Sequence, residues 1–311
     1  MEHYQPEFVL RYLAENADCT CPACQKTEGK SPLVEVKFNN QQRDSLDLRC
    51  ESAARQMLLN PKAFVLHAEE NDETTDAQPD LWLETLNQQC LNLAMHPALT
   101  VETALYAIGI LLSKAKQYQQ TQQDDLSLLV MMAEQIGHLG EEGVLAEQYA
   151  QLPQIGSVET EALKALGAQR ISFNLPMMEK MAVSLKVGEL VVMNDAQLAD
   201  RVTALNAVWT QAASDNALAW IARNVLIYQL YHDIFPGNDS ALYGTKMLQL
   251  ATQFFQLKML LAIWVETGNA LTEESVVSLF SSWKQLPAAV SSPLALKSDD
   301  DTALLHALSL I

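Results

Sequence analysis

Apolar residues recur at helical spacing along most of the chain after residue 80. The segment that follows Asn194-Asp195 carries them at intervals of three and four, a spacing that predicts an amphipathic helix: Leu198, Val202, Leu205, Val208 and Trp209. Residues 220–235 are almost continuously apolar, which is typical of a helix in the middle of a core. Pro236-Gly237 follows directly and ends that helix.

Residues with helix-capping side chains stand before several of these segments. They are Asp80, Thr100, Asp124 or Asp125, Asp215 and Thr272. No position recurs at a fixed interval, which argues against a helical solenoid. The pattern therefore predicts an irregular multi-helix bundle.

The first 70 residues have a shorter and mixed pattern. Residues 8–13 place apolar side chains on one helical face, and residues 51–59 are rich in strong helix formers. Residues 33–38 predict a strand, residues 45–48 its hairpin partner, and residues 64–66 one more short strand. This part is predicted to be a small α+β segment attached to a mainly α protein.

An acidic stretch without apolar residues, 69–80, predicts a mobile loop and the internal boundary. The predicted organisation is a cysteine-containing N-terminal region with short strands at 1–70, an acidic loop at 71–80 and a helical body at 81–311. The tail after Pro287 is predicted to be loop with a short apolar end.

The net charge of the chain limits the classes of partner that it is expected to bind. The 311 residues include 38 acidic and 20 basic side chains, a net charge of −18, while 49% of the chain is hydrophobic. The hydrophobic share excludes a disordered chain, and the negative surface disfavours nucleic acid. Basic partners are favoured, although an acidic surface also serves solubility alone.

The location is predicted to be cytoplasmic. The N-terminal residues 1–6 show neither a basic nor an apolar signal region. The longest apolar stretches are interrupted by Arg223, Asn224 and Lys258, so no membrane span is expected.

Three of the five cysteines crowd into Cys19-Thr20-Cys21-Pro22-Ala23-Cys24. Thiolates suit an iron–sulfur cluster or zinc, and such a site takes four ligands. Cys50 is the natural fourth ligand, because it follows a hairpin that folds back on the loop. The predicted metal ligands are therefore Cys19, Cys21, Cys24 and Cys50, and the alternative is a loop that binds nothing.

The remaining chemistry-bearing residues give weaker signals. Nearby basic residues are expected to lower the thiol pKa values: Lys26, Lys30, Arg43 and Arg49. Cys90 lies among apolar helix positions and is predicted to be a core thiol. His232 is predicted to be a hydrogen-bonded core histidine. The glycines of residues 137–143 follow no strand and lack the spacing of a dinucleotide loop.

Residues 43–58 carry a family resemblance. They read Arg-Asp-Ser-Leu-Asp-Leu-Arg-Cys-Glu-Ser-Ala-Ala-Arg-Gln-Met-Leu, which resembles the S-L-x-L-x-C-x-E-A-A-R-x-x-L segment of the flagellin lysine-N-methylase family. The matching positions are Ser45, Leu46, Leu48, Cys50, Ala53, Ala54, Arg55 and Leu58. Looser similarity continues to about residue 285, through residues 59–63, Leu81-Trp82, residues 97–99 and residues 223–243.

The resemblance implies methyl transfer to surface lysine ε-amines of flagellin, with S-adenosylmethionine as donor. It also implies an iron–sulfur cluster of the 4Fe–4S type on the family's cysteines, and Cys50 is the one cysteine carried over by motif. The methyl-donor pocket and the catalytic base stay unassigned. Tyr228, Tyr231 and Asp233 are candidates for removing the lysine proton.

This chain departs from the family pattern in two ways. Cys50-Glu51-Ser52 stands where the family has Cys-Pro-Glu, and the N-terminal region is shorter, with fewer cysteines. The alternative function is therefore a noncatalytic helical interaction module, whose cysteine loop is empty or binds structural zinc.

Overall fold

The computed structural model describes residues 1–16, 19, 21–25, 32–70, 79–212, 217–285 and 299–311. Helices dominate it and a small sheet lies at the N-terminus, which confirms the predicted fold class. The helices are α1 Glu7–Asn16, α2 Pro22–Gln25, α3 Glu51–Leu58, α4 Leu81–Met95, α5 Val101–Gln120, α6 Leu126–Glu141, α7 Val144–Tyr149, α8 Gly156–Ala168, α9 Met177–Glu189, α10 Asp195–Ala212, α11 Ala217–His232, α12 Tyr243–Glu266, α13 Glu273–Lys284 and α14 Asp300–Leu310.

The sheet has four strands in the order β2-β3-β1-β4: β1 Glu2–Pro6, β2 Leu33–Phe38, β3 Gln41–Leu46 and β4 Leu66–Glu70. The predicted hairpin is confirmed, with Leu33 opposite Leu46 and Phe38 opposite Gln41. β3 also pairs with β1 in parallel. The hairpin brings the start of α3 back beside the segment that precedes β2.

Several predicted boundaries were wrong. The last strand begins at Leu66 and runs through Glu70, so the first two residues of the acidic stretch pair with β1. Residues 71–78 and the predicted cap Asp215 lie outside the described residues. The apolar C-terminal end is a full helix, α14, which packs along α12.

Predicted caps are confirmed in four places. The side chains of Asp80, Thr100 and Asp125 accept hydrogen bonds from backbone N–H groups of α4, α5 and α6. Thr272 and Ser275 form a reciprocal capping box at α13. These bonds satisfy N–H groups that have no partner inside the helix.

The core centres on α12, whose residues are mostly buried against α5, α10 and α14. Within the described chain, Ser240–Glu266 is the one helical segment long and apolar enough to cross a bilayer, and 72% of its most apolar window is buried in the protein. Such burial is typical of the central helix of a bundle.

The N-terminal region is tied to α11 by side chains that bond to its backbone. Tyr228 donates to the Leu46 carbonyl at 2.7 Å. Asn224 donates to the carbonyls of Met57 and Asn60, each at 2.9 Å. These contacts hold β3 and α3, and with them the turn that carries Cys50, against the helical body.

Candidate metal centre and adjoining polar cluster

The structure brings the four predicted metal ligands together. The sulfur atoms of Cys19, Cys21, Cys24 and Cys50 all lie within 4.8 Å of one another, and no disulfide joins them. The Sγ atoms of Cys19 and Cys50 are 3.8 Å apart. We call these four residues the Cys tetrad.

Local structure explains how each sulfur reaches the tetrad. Cys24 lies on the single-turn helix α2, which begins at Pro22, a residue suited to a first helical position. Cys50 is the residue before α3, and its N–H bonds to the Asp47 carbonyl at 3.2 Å. The β2–β3 hairpin therefore ends in a turn that points Cys50 back at the loop, as the sequence predicts.

Burial divides the tetrad into two inner and two outer thiols. Cys24 and Cys50 are buried, whereas Cys19 and Cys21 are half-buried. Burial raises the pKa of Cys24 to about 11 and that of Cys50 further. Burial also acts on Cys19 and raises its pKa, but a hydrogen bond from the Cys21 backbone and hydrogen bonding with the Ser52 side chain outweigh it and lower the pKa to about 7. Cys19 is thus the thiol that ionises most readily among these three.

Two neutral side chains contact sulfurs of the tetrad. The Tyr12 hydroxyl lies 3.9 Å from Cys24 Sγ, and the Ser52 hydroxyl lies 3.8 Å from Cys19 Sγ. The predicted effect of basic neighbours on the thiol pKa values stays a prediction for Arg43, which bonds to Asn87, and for Arg49, which bonds to Asp47. Lys26 and Lys30 lie outside the described residues.

The tetrad has the donor set of a thiolate metal site. Four thiolates can hold one zinc ion, at about 2.3 Å each, or ligate the irons of an iron–sulfur cluster. The donor chemistry of the tetrad therefore suits either group.

A polar cluster adjoins the turn that carries Cys50. It consists of Asp47, His232, Asp233 and Lys284, and we call it the Lys284 cluster. His232 Nδ1 lies 2.9 Å from the Ser45 hydroxyl. Both carboxylates act electrostatically on His232 and on the Lys284 ammonium. The cluster reaches the surface at Asp233, which is exposed.

Burial shifts the pKa values of two members of this cluster. It lowers the pKa of Lys284 to about 8, against the opposing effects of Asp233 and Asp47. It also lowers the pKa of His232, whose ring stacks on Tyr228 with centroids 4.9 Å apart. His232 is therefore neutral near pH 7, as expected of a histidine inside a core.

The candidates for the catalytic base separate into two groups. Tyr228 and Tyr231 are 4% and 3% exposed, and burial raises the pKa of each phenol. Their hydroxyls donate hydrogen bonds to the backbone carbonyls of Leu46 and Tyr4, so both side chains have a structural role. Asp233 alone among the three is open to solvent.

Two further cavities lie elsewhere in the helical body. One of about 640 Å³ between α5 and α14 includes Lys116, Asp300 and Asp301, but these charges pair with each other at 2.6–2.7 Å. Another, of about 80 Å³, is mainly apolar and includes Trp209 and Phe280. No residue in either lining singles out a methyl-donor site.

Two elements of the site escaped the sequence analysis. Tyr12 and Ser52 contact tetrad sulfurs, and Lys284 lies at the end of a helix far along the chain from Asp47. The helical spacing of Tyr12 showed its burial but not its neighbour. Cys90 is fully buried and apart from the tetrad, which confirms the prediction of a core thiol.

Comparison with known proteins agrees with the resemblance seen in the sequence. The FliB lysine N-methylase C-terminal domain matches residues 87–285, which is more than half of the chain. This chain therefore belongs to the FliB lysine N-methylase family. It is 21% identical over 305 residues to the Lysine-N-methylase of Salmonella choleraesuis (strain SC-B67), and equally to that of Salmonella typhimurium (strain LT2). Each alignment covers 92% of this chain and 76% of the relative. No solved structure matches the chain.

Proposed function

We propose that this chain is a protein-lysine N-methyltransferase that acts on flagellin, with S-adenosylmethionine as the methyl donor. Membership of the FliB lysine N-methylase family, over residues 87–285, is the observation that carries the proposal. The two relatives named Lysine-N-methylase extend the similarity over most of the chain. Flagellin, the methyl donor and a cytoplasmic location come from the sequence analysis.

The reaction is a polar displacement. The lone pair of a neutral lysine ε-amine attacks the sulfonium methyl carbon, and the N–C bond forms as the C–S bond breaks. The electron pair of the broken bond stays on sulfur, which becomes a thioether, and the methylated lysine is formed as a secondary ammonium ion. Because a free lysine has a pKa of about 10.4, the enzyme must first accept a proton from the acceptor.

The Lys284 cluster offers the proton acceptor. His232 is kept neutral by burial, and Ser45 fixes the orientation of its ring through Nδ1. Asp233, the next residue, is exposed and attracts an incoming ammonium group. We assign proton acceptance to His232 and guidance of the acceptor lysine to Asp233.

The net charge of −18 favours the same class of partner. A lysine-bearing surface segment is drawn towards an acidic protein, whereas a phosphate backbone is repelled. Lysine on a protein is therefore a better acceptor than any group on a nucleic acid.

The Cys tetrad is the candidate site for a metal group. The iron–sulfur cluster implied by the resemblance stays a prediction, with zinc as the alternative. In either case an occupant would fasten α2 to the start of α3.

Mass spectrometry tests the proposal. Purified flagellin is incubated with the chain and S-adenosylmethionine that carries a deuterated methyl group, and the peptides are sequenced. We expect lysine peptides to gain the labelled methyl mass, and heat-inactivated chain to give none. Absence of labelled lysine would refute the enzyme, and flagellin binding without label would identify the noncatalytic helical interaction module.

A further inference from the structure

Helix α9 has apolar side chains on two opposite faces. Val183 and Val187 are buried on the inner face, and α9 packs on α8 and α12. The outer face is open to solvent across the described part of the chain, yet it carries large apolar side chains. Their exposed fractions are 70% for Met177, 79% for Met178, 61% for Met181, 65% for Leu185 and 84% for Val192. We call these five residues the α9 patch.

The α9 patch occupies one side of the helix. Met178, Met181 and Leu185 recur at intervals of three and four residues, and Val192 lies on the same side just after the helix ends. Charged side chains lie beside this face at half-buried positions: Glu179, Lys180, Lys186 and Glu189. A surface helix normally places its charged side chains at the most exposed positions. The reversed order is typical of a helix that is covered on both faces.

The size of the α9 patch fits a protein interface. Its five side chains present on the order of 700 Å², more than the roughly 300–600 Å² of the largest apolar patch on a typical monomer. Each partner in a stable protein complex buries about 800 Å². Three of the five side chains are methionines, which are flexible and adapt to the surface that they meet. Two such patches facing each other would therefore supply most of a stable interface.

The charge of α9 favours a second copy of the chain as the partner. The helix has two acidic and two basic side chains and no net charge, whereas the whole chain has a net charge of −18. Two acidic copies repel each other over much of their surface, and a neutral helix is where that repulsion is smallest. A basic partner would instead meet Lys180 and Lys186 here and would find more negative charge on other parts of the chain.

We propose that two copies of this chain form a symmetric dimer through the α9 patch. A two-fold axis places the patch of one copy on the patch of the other, so the interface closes and no further copies add. Burial of the exposed apolar side chains drives the association. The dimer does not rest on the proposed methyltransferase activity, and a dimeric chain that fails to methylate flagellin would still satisfy it.

Sedimentation velocity of the full chain tests for the dimer. Over a wide range of protein concentration, we expect a reversible step from one chain to two and no larger species. A chain that stays monomeric at every concentration would overturn the proposal, and so would an assembly that keeps growing as the concentration rises.

Matched methionine variants locate the interface. Met181→Glu puts a charge in the middle of the patch and should raise the dimer dissociation constant about 100-fold or more, since a symmetric dimer carries the change twice. Met131→Glu makes the same substitution on α6, where Met131 is 53% exposed, and should keep the parent constant. If circular dichroism shows that Met181→Glu does not fold, Leu185→Glu gives the same test. Equal dissociation constants for the patch variant and Met131→Glu would remove the patch from the interface.

Photocrosslinking tests the symmetry of the interface. Leu185→p-benzoylphenylalanine places a photoreactive group in the patch, and irradiation should join two chains through peptides that contain residues 177–192. A crosslink to any other part of the second copy would contradict an interface in which both copies use the same patch.

Other occupants of the patch would give a different result. Flagellin and phosphatidylcholine vesicles are each mixed with the parent and with Met181→Glu, and we expect the two proteins to bind each of them equally. A monomeric parent whose binding to flagellin or to vesicles is lost in Met181→Glu would assign the patch to that partner and overturn the dimer.

Discussion

The guanidinium of Arg43 on β3 donates a 2.8 Å hydrogen bond to the side-chain oxygen of Asn87 on α4, and both side chains are buried. The Asn87 nitrogen donates in turn to the carbonyls of Leu230 and Phe235, at 2.9 and 2.8 Å. One amide thus joins the N-terminal sheet to two parts of the helical body. Since buried polar groups are costly without hydrogen-bond partners, Asn87 should contribute substantially to the stability of the fold.

Asn87→Ala should destabilise the protein by about 3 kcal/mol, because it removes three buried hydrogen bonds, one from the Arg43 guanidinium and two to the carbonyls of Leu230 and Phe235. Urea unfolding followed by circular dichroism measures the change. Asn92→Ala on an exposed turn of the same helix is the matched control and should stay within about 0.5 kcal/mol of the parent. Equal losses in the two variants would show that the buried amide contributes no more than a surface one.

Gly244, at the start of α12, is needed for a close approach of α14. A Cβ atom there would lie 1.9 Å from the Asp300 carbonyl oxygen, so the backbone of α14 would have to move. Asp300 would also lose hydrogen bonds from the N–H groups of Gly244 and Thr245, which now measure 3.0 and 2.7 Å. We expect Gly244→Ala to cost about 3 kcal/mol or more.

Gly188→Ala is the control for this glycine. A Cβ at Gly188 in α9 meets nothing within 4 Å, so alanine should leave stability unchanged or raise it by up to about 1 kcal/mol. Thermal unfolding of both variants separates the two effects. A Gly244→Ala protein as stable as the Gly188→Ala protein would show that α14 does not pack on α12 as described.

The hairpin and the tetrad could be foreseen because their signals are local. Alternation in residues 33–38 and cysteine spacing in residues 19–24 each need only a few neighbouring positions, and Cys50 follows the hairpin directly. β1 could not be foreseen in this way. Glu2–Pro6 shows no alternation, ends in proline and is a strand only because β3 and β4, distant in sequence, pair with it.

The Lys284 cluster, like β1, could not be predicted from neighbouring positions in the sequence. Nothing near Lys284 in sequence distinguishes it from a surface lysine at a helix end, where basic residues are common. Its burial depends on the packing of α13 against α3, and its charged neighbours come from the β3–α3 turn and from α11. Tyr228 and Tyr231 on α11 were candidates because a phenol can take part in proton transfer. In the fold their hydroxyls donate hydrogen bonds to backbone carbonyls instead.

Lys284 should make stability depend on pH in the alkaline range. Burial lowers its pKa to about 8, below that of an unfolded lysine at about 10.4, so between these values the unfolded chain binds more protons than the folded one. Stability therefore rises with pH across this window. The parent and Lys284→Met are compared by urea unfolding from pH 7 to 10. The unfolding free energy of the parent should rise with pH relative to that of the variant.

The control for this titration is Lys246→Met, at an exposed position of α12. This variant removes a lysine ammonium from the surface, so its unfolding free energy should stay within about 0.5 kcal/mol of the parent. A difference for Lys284→Met that does not change with pH would mean that Lys284 keeps the titration of an exposed lysine.

His232→Gln should lower kcat for lysine methylation by about 10²- to 10⁴-fold, the usual contribution of a positioned base. Glutamine keeps a polar group near Ser45 but cannot accept the proton at neutral pH. In the parent, kcat should also fall on acidification below about pH 6.5, as the imidazole becomes protonated, and this acidic limb should vanish in the variant. His138→Gln, whose side chain is 75% exposed on α6, should keep both kcat and the limb. A folded His232→Gln enzyme with full kcat, or with the acidic limb intact, would place the proton acceptor on another residue.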